Sequence, residues 1–278
     1  MIMRSTGGRW RRVATYVMLS ILVALTFAPY AIMLLISVKD NDQFYNSFLA
    51  ISVPFHWENY SNAAGVLAPY MLNSLIVAVV SVIGVAVFSC LAAFAFARFR
   101  FVGREVLYYM VLAVMMIPSI LEIVPQFLLV RRLGLLDTRW ALILPYIASG
   151  QVLAIFIMRS FFAGLPQELF ESAQIDGDSE LGTFLHIALP LTKPVLGTIA
   201  IMQVLYIWND YAWPFIVTAQ DTSLSTLVVG LVQFQSRQMT SWGPLMAAYT
   251  LASLPLVILF FFTARYFIEG LTIGALKA

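Results

Sequence analysis

Two carboxylates, Glu122 and Asp210, lie inside otherwise apolar stretches of the chain. An ionisable side chain in hydrocarbon costs at least about 2.5 kcal/mol, so such residues are functional candidates. Gln203, Tyr206, Asp210 and Trp213 recur at i, i+3, i+7 and i+10, one stripe of a helix, with Asn209 beside them. Amides and carboxylates hydrogen-bond hydroxyl groups, and aromatic rings lie on the apolar face of a pyranose. With Glu122 and Gln151 from neighbouring stretches, the set suits a polyhydroxyl solute. A plainer reading stands beside it, in which Tyr206, Trp208, Tyr211 and Trp213 are belt and packing aromatics and Asn209 and Asp210 bond between helices. No set fits catalysis or a metal: His56 and His186 are far apart and Cys90 stands alone in an apolar run. A G-x-x-x-x-G-K-S/T phosphate loop is also absent.

The elements that carry these residues are written in the composition. Of 278 residues, 61% are hydrophobic and 11% charged, against roughly half and a quarter in soluble domains, so the chain reads as an integral membrane protein. A helix crosses the hydrocarbon in roughly 20 mainly apolar residues. Stretches at about 13–36, 71–97, 106–130, 140–163, 194–218 and 245–268 qualify, and the need to pair every backbone group in lipid makes them helices. No alternating ten-residue pattern points to a barrel. The run from Val13 to Ile36 exceeds the roughly 7–15 residues of a signal core and is read as a retained anchor. Arg4, Arg9, Arg11, Arg12, Arg98, Arg100, Arg104, Arg159, Lys193, Arg265 and Lys277 fall on one side of these spans, and Lys39, Arg131, Arg132, Arg139 and Arg237 on the other. The positive-inside rule therefore predicts both termini in the cytoplasm. Trp10, Trp57, Trp140 and Trp242 read as interfacial anchors. Pro118 and Pro125 in the third span bend it.

Between the fourth and fifth spans lies a polar, acidic island from Leu165 to Pro190. Pro166 suits the first turn of a helix, Glu168 and Glu171 favour its positive end, and Gly177 ends it. Asp178 or Ser179 then caps a second helix that stops before Pro190. Leu169, Phe170 and Ala173 form an apolar strip on the first helix, opposite Gln167, Glu171 and Gln174. Such a pair is too short and too acidic to enter lipid, and it rests on the cytoplasmic surface. The loop after the fifth span, about 219–243, holds a semi-apolar piece from Leu224 to Phe234.

Glu171-Ser172-Ala173, then Gly177 and, after nine intervening residues, Ile187-x-Leu189-Pro190 resemble the EAA loop of inner-membrane permeases of binding-protein-dependent ABC importers, with Ser172 where the family has a second alanine. Trp208-Asn209-Asp210-Tyr211, Trp242-Gly243-Pro244 and the tail Glu269-Gly270-Leu271 to Lys277 resemble the sugar-importing branch typified by the smaller maltose permease subunit. The resemblance implies an all-α membrane protein of the type I importer fold: a cytoplasmic segment at 1–12, a six-helix permease domain at 13–268 with the coupling loop at 164–193, and a cytoplasmic tail at 269–278. It implies residence in a prokaryotic inner membrane and import of a sugar, with a di- or oligosaccharide as the first reading and a glycerol phosphate ester or other polyol as the second. The implied partners are a second permease, two ATP-binding subunits and an extracytoplasmic binding protein. This chain would bind no cofactor, ATP and magnesium being used by the ATPase. Glu168, Glu171, Ser172, Ala173, Asp176, Gly177, Ile187, Leu189 and Pro190 would meet the ATPase subunit, and Leu224, Leu227, Leu231, Phe234 and Gln238 the binding protein. An ion-coupled secondary transporter using Glu122 and Asp210 is a remote alternative, lacking the paired broken helices expected in two halves.

Overall fold

The computed structural model describes the backbone of residues 7–238 and 240–275 and the side chains of 11–238 and 240–263. The side chains of Arg4, Arg9, Trp10, Arg265 and the tail motif from Glu269 to Lys277 lie outside these. Among the described residues there are helices and no strands. In chain order they are α1 (Gly7–Ser37), α2 (Asn41–Asn46), α3 (Glu58–Arg98), α4 (Arg104–Val114), α5 (Ser119–Arg132), α6 (Trp140–Ala163), α7 (Glu168–Ile175), α8 (Glu180–Thr183), a π-helical turn (Phe184–Ala188), α9 (Leu189–Leu191), α10 (Lys193–Asn209), α11 (Ala212–Val217), a 3-10 turn (Thr222–Leu224), α12 (Leu227–Arg237) and α13 (Trp242–Ala275).

Four helices are long and apolar enough to cross a membrane, and the number reaches six if each of two bent pairs is one span. The bent pairs correct two expectations. The third apolar stretch is not one helix: α4 and α5 meet at 101°. Pro118 is the cause, since its fixed φ of −61° is paired with an extended ψ of 126° and it donates no hydrogen bond. The fifth stretch ends early, because Asp210 turns extended (ψ 124°) and α11 starts afresh after it. The helix also arrives differently, with the segment Glu180–Leu191 meeting Lys193–Asn209 at 71°.

The chain divides into two compact units. One joins the residues up to Leu67 with Leu231–Leu254. Its loop between α1 and α3 carries the short helix α2, started by a capping box in which Asp40 accepts from the backbone of Gln43. The loop is wound around a buried cation. Lys39 is 1% exposed and its Nζ donates to the carbonyls of Ser47, Phe48 and Ala50 at 2.5, 3.0 and 2.7 Å. Burial pushes its ammonium below the ordinary lysine value, and the three carbonyls offset that cost. Asn59 Nδ2 donates to the carbonyls of Ser37 and Lys39, both at 2.9 Å. Phe44 stacks on Trp242 at 5.1 Å between centroids, and Trp242 N donates to Asn41 Oδ1 at 3.1 Å. Gly243 is needed at this contact, since a β-carbon there would run into the carbonyl oxygen of Lys39.

The other unit holds Ala68–Gly230 and the chain from Pro255 onward. Its inner core gathers rings from four elements: Phe94 of α3 lies 5.6 Å from Phe162 of α6, 6.3 Å from Phe170 of α7 and 5.1 Å from Phe184 of the π turn. At the other end Asn73 binds the carbonyls of Ser223 and Ser225 and accepts from Arg139, while Ser74 Oγ accepts from Leu227 N at 2.8 Å.

Replacing Lys39 with methionine keeps an unbranched chain one heavy atom shorter but removes the donor from the carbonyls of Ser47 and Phe48 and one of two from that of Ala50, a loss of about 1–3 kcal/mol. Lys39→Met is expected to lower the melting temperature of the purified protein in detergent, and Gly243→Val to do the same through overlap with the Lys39 carbonyl; a thermal-shift measurement of each against the parent checks this.

Candidate functional site

The acidic island folds much as its residue types demand. In α7, Phe170 and Ala173 are buried at 7% and 5% exposure, one helical turn apart, while Leu169 is exposed rather than part of the strip. Gly177 takes φ +83°, the left-handed conformation that glycine adopts at a helix end. Ser179 caps α8 by accepting from Gly182 N at 3.1 Å; Asp178 is not the cap. The second helix does not stop before Pro190. A proline ring clashes with the carbonyl four residues back, here that of His186, and the chain widens into the π turn Phe184–Ala188, so that Pro190 is carried within α9.

What this leaves on the surface is a mixed acidic and apolar face. Glu168, Glu171, Ser172 and Asp176 are exposed, with Glu171 held by Gln167 Nε2 at 2.9 Å. Beside them stand Ile175 at 87% exposure, Leu181 at 62% and Leu185 at 46%. Ala173 faces the core, and Ile187 and Leu189 are half-buried while Pro190 is exposed. Apolar side chains this exposed on a polar loop mark an interaction surface.

A second site lies among the helices. Glu122 and Asp210 do come together, lining one cavity of about 420 Å³ with Ser119, Gln126, Tyr146, Ser149, Tyr206 and Asn209. Asp210 is not free within it. Its Oδ2 accepts from the Tyr146 hydroxyl at 2.8 Å and its Oδ1 from Trp213 N at 3.4 Å, so the carboxylate starts α11 and ties it to α6. Trp213 is 5% exposed and donates Nε1 to the Ala141 carbonyl at 3.1 Å; it sits in α11 and not on the α10 stripe. Asn209 Nδ2 donates to Leu205 O at 2.8 Å. Gln203 lines a neighbouring cavity of about 380 Å³ and donates to Tyr146 O at 3.0 Å. Tyr206 and Ser149 line both cavities. Gln151 is not brought into either: its amide atoms are buried with no hydrogen-bond partner among the described residues. Glu122 is thus the carboxylate that remains open to the cavity. Sequence reasoning missed Tyr146 and Ser149, whose spacing of three on α6 was the available signal.

The outer piece is corrected more firmly. Leu227, Leu231 and Phe234 are 0%, 8% and 4% exposed, because the semi-apolar run folds as α12 with those residues on its inner face. The outer face of α12 carries Val232, Gln235, Ser236 and Arg237, while Leu224 and Gln238 are partly exposed.

Comparison with known proteins matches this arrangement. Residues 86–272 fit the model of the family described as "Binding-protein-dependent transport system inner membrane component". The chain is 32% identical over 272 residues to the arabinooligosaccharides transport system permease protein AraQ of Bacillus subtilis, covering 96% of each. It is 34% identical over 267 residues to the sn-glycerol-3-phosphate transport system permease protein UgpE of Yersinia pestis, covering 92% of this chain and 94% of the relative. The fold superposes with a TM-score of 0.81 on a chain of a bacterial ABC transporter involved in import of the acidic polysaccharide alginate, at 22% identity, covering 96% of this chain and all of that one. A helical chain with this many apolar spans and this length of match belongs to the family of binding-protein-dependent transport system inner membrane components, the permease subunits of ABC importers.

Proposed function

We propose that this permease crosses the inner membrane six times with both termini in the cytoplasm, pairs with a second permease, and imports a sugar delivered by an extracytoplasmic binding protein. In this reading the bent pair α4–α5 counts as one span, and α10 continued by α11 counts as another, with α8 and α9 left in the loop that precedes it. The single observation that carries it is the two-helix loop at 164–193. It has the EAA spacing, a hinge at Gly177 with φ +83°, and an exposed acidic and apolar face in a family whose members work as ABC permeases. That face, with Glu168, Glu171, Ser172 and Asp176 beside Ile175, seats in a cleft of an ATP-hydrolysing subunit. Two such subunits bind ATP and magnesium. Closure of the ATPase pair then moves α7 as a rigid body, and the spans follow.

The cavity between α5, α6 and α10 is this chain's share of the pathway. Glu122, Gln126, Ser149, Tyr206 and Asn209 offer hydroxyl-binding groups and an aromatic face, and Asp210 with Tyr146 holds the helix break in place. The relatives carry arabino-oligosaccharides and sn-glycerol 3-phosphate by their names. A cavity with two carboxylates and no basic lining residue repels an anion, which favours a neutral di- or oligosaccharide over the phosphate ester. The outer face of α12 meets the binding protein.

Glu171→Lys reverses charge on the exposed face, and Gly177→Pro demands a φ near −65° where the chain holds +83°. Both are expected to abolish uptake while the protein still fractionates with the membrane; normal uptake by both would overturn the coupling role. Copurification is the second check: the detergent-solubilised permease should bring an ATPase with it, and uptake by this chain alone would refute the assignment. Within the cavity, Glu122→Gln and Tyr206→Ala should raise the half-saturation concentration for solute about tenfold, the equivalent of losing roughly 1.4 kcal/mol, with the complex intact. Uptake assays with radiolabelled arabinotriose, maltotriose and sn-glycerol 3-phosphate should favour the neutral solutes, and preference for the phosphate ester would contradict the substrate class.

A further inference from the structure

Arg98 closes α3 and was accounted for above only as one of the positive charges that set orientation. The structure gives it a more particular place. Its Nη2 donates to the carbonyls of Phe162 and Leu165 at 3.0 and 3.1 Å. These are acceptors at the C-terminal end of α6 and in the turn that leads into α7, where carbonyls lack the i+4 partner of a continuing helix and the dipole favours a cation. The same guanidinium lies over the ring of Phe170, with Cζ 3.5 Å from the centroid. Phe170 belongs to α7, is buried, and packs on Phe94, one turn back on α3. One side chain therefore touches three elements at once: the end of the second apolar stretch, the end of the fourth, and the acidic helix.

Its geometry also goes beyond what orientation or fold stability asks. Nε of Arg98 is buried with no hydrogen-bond partner among the described residues, a cost that a lysine reaching for the same carbonyls would avoid. Only a planar guanidinium can present donors to two carbonyls in its plane and its face to a ring above it. A rigid helix that is pushed from outside transmits movement only if it cannot slide or roll on the spans beneath. The turn at 164–167 and the left-handed glycine at 177 interrupt the helix on either side of α7, so its attachment to the spans rests on side-chain contacts. The Arg98–Phe170 contact is one that reaches both α3 and α6.

We propose that Arg98 is the positioning residue that locks α7 to α3 and α6, so that movement of the acidic loop reaches the cavity and is not lost as local rolling of the loop. This rests on the reading of α7 as the ATPase-coupling helix. The test uses the importer purified with its partner subunits and reconstituted in nanodiscs, with a thiol reporter introduced by Ser149→Cys in a Cys90→Ala background. The rate at which a maleimide labels the cavity thiol is compared without nucleotide and with ATP and vanadate. In the reference complex the rate is expected to change at least fivefold. With Arg98→Gln or Phe170→Met the change should fall below twofold while ATP is still hydrolysed, a separation of hydrolysis from cavity movement that a purely structural role would not produce. Phe170→Met keeps the apolar burial and removes only the ring face, so it decides the question should Arg98→Gln fail to assemble. Switching as large as the reference in the assembled variants would overturn the proposal. Glu171→Lys separates the two levels: if that complex still hydrolyses ATP and switches normally, the coupling reading itself fails, whereas loss with Glu171→Lys alone removes only the role of Arg98.

Discussion

Every backbone N–H and C=O of a chain in hydrocarbon must find a partner, and the rest of this structure depends on how that demand is met where helices stop. Irregular backbone is tolerated at membrane depth only if it is buried in protein or lines a cavity. The break between α4 and α5 ends at Pro118, next to Ser119; the break between α10 and α11 falls at Asp210. Ser119, Asp210 and Ala212 line the same cavity. Two interruptions that would each be unfavourable against lipid thus face one enclosed space, and the space exists because the helices do not run through it.

This gives Asp210 a different character from Glu122, although both are acids in apolar surroundings. Asp210 repairs its own break. One oxygen takes the backbone N–H of Trp213 and the other the hydroxyl of Tyr146, so its charge is spent on starting α11 and fixing that helix to α6. Glu122 sits in the first turn of α5, where the helix dipole favours a carboxylate, and its side chain faces the cavity. A carboxylate held by hydrogen bonds and one left open to the cavity thus line the same space.

The end that carries α7 follows a related logic with rings in place of carboxylates. Phe94, Phe162, Phe170 and Phe184 come from four elements and bury one another, which seats α7 and the π turn on the ends of α3 and α6. Aromatic side chains bring large buried area with few rotatable bonds, which fixes α7 firmly against its neighbours. The polar and apolar residues left outside that cluster, among them Glu171 and Ile175, are then held at a fixed angle to the spans.

Much of this was legible in the residues alone, and the reasons for the rest are physical. Apolar runs of membrane length, the lysine and arginine asymmetry, the cap at Ser179, the left-handed glycine at 177 and the EAA spacing are local properties, and each was readable because a short window contains its cause. The sharp break at Pro118 was legible only as a bend, since whether a proline kinks a helix or ends it depends on what receives the freed carbonyls. The burial of Leu227, Leu231 and Phe234 was not legible at all: an apolar strip looks the same from the sequence whether it awaits a partner or is already covered by its own chain. Lys39 looked like an outer-side charge and is a buried anchor, because three carbonyls that surround it come from residues 8 to 11 positions away. The sequence by itself determined that this is a helical membrane permease with an acidic two-helix loop between apolar stretches, because hydropathy and short-range turn chemistry act within a few residues. Only the tertiary structure decided which acid stays open to the cavity, which apolar residues remain exposed and which arginine touches Phe170 of α7, because those depend on neighbours that distant parts of the chain supply.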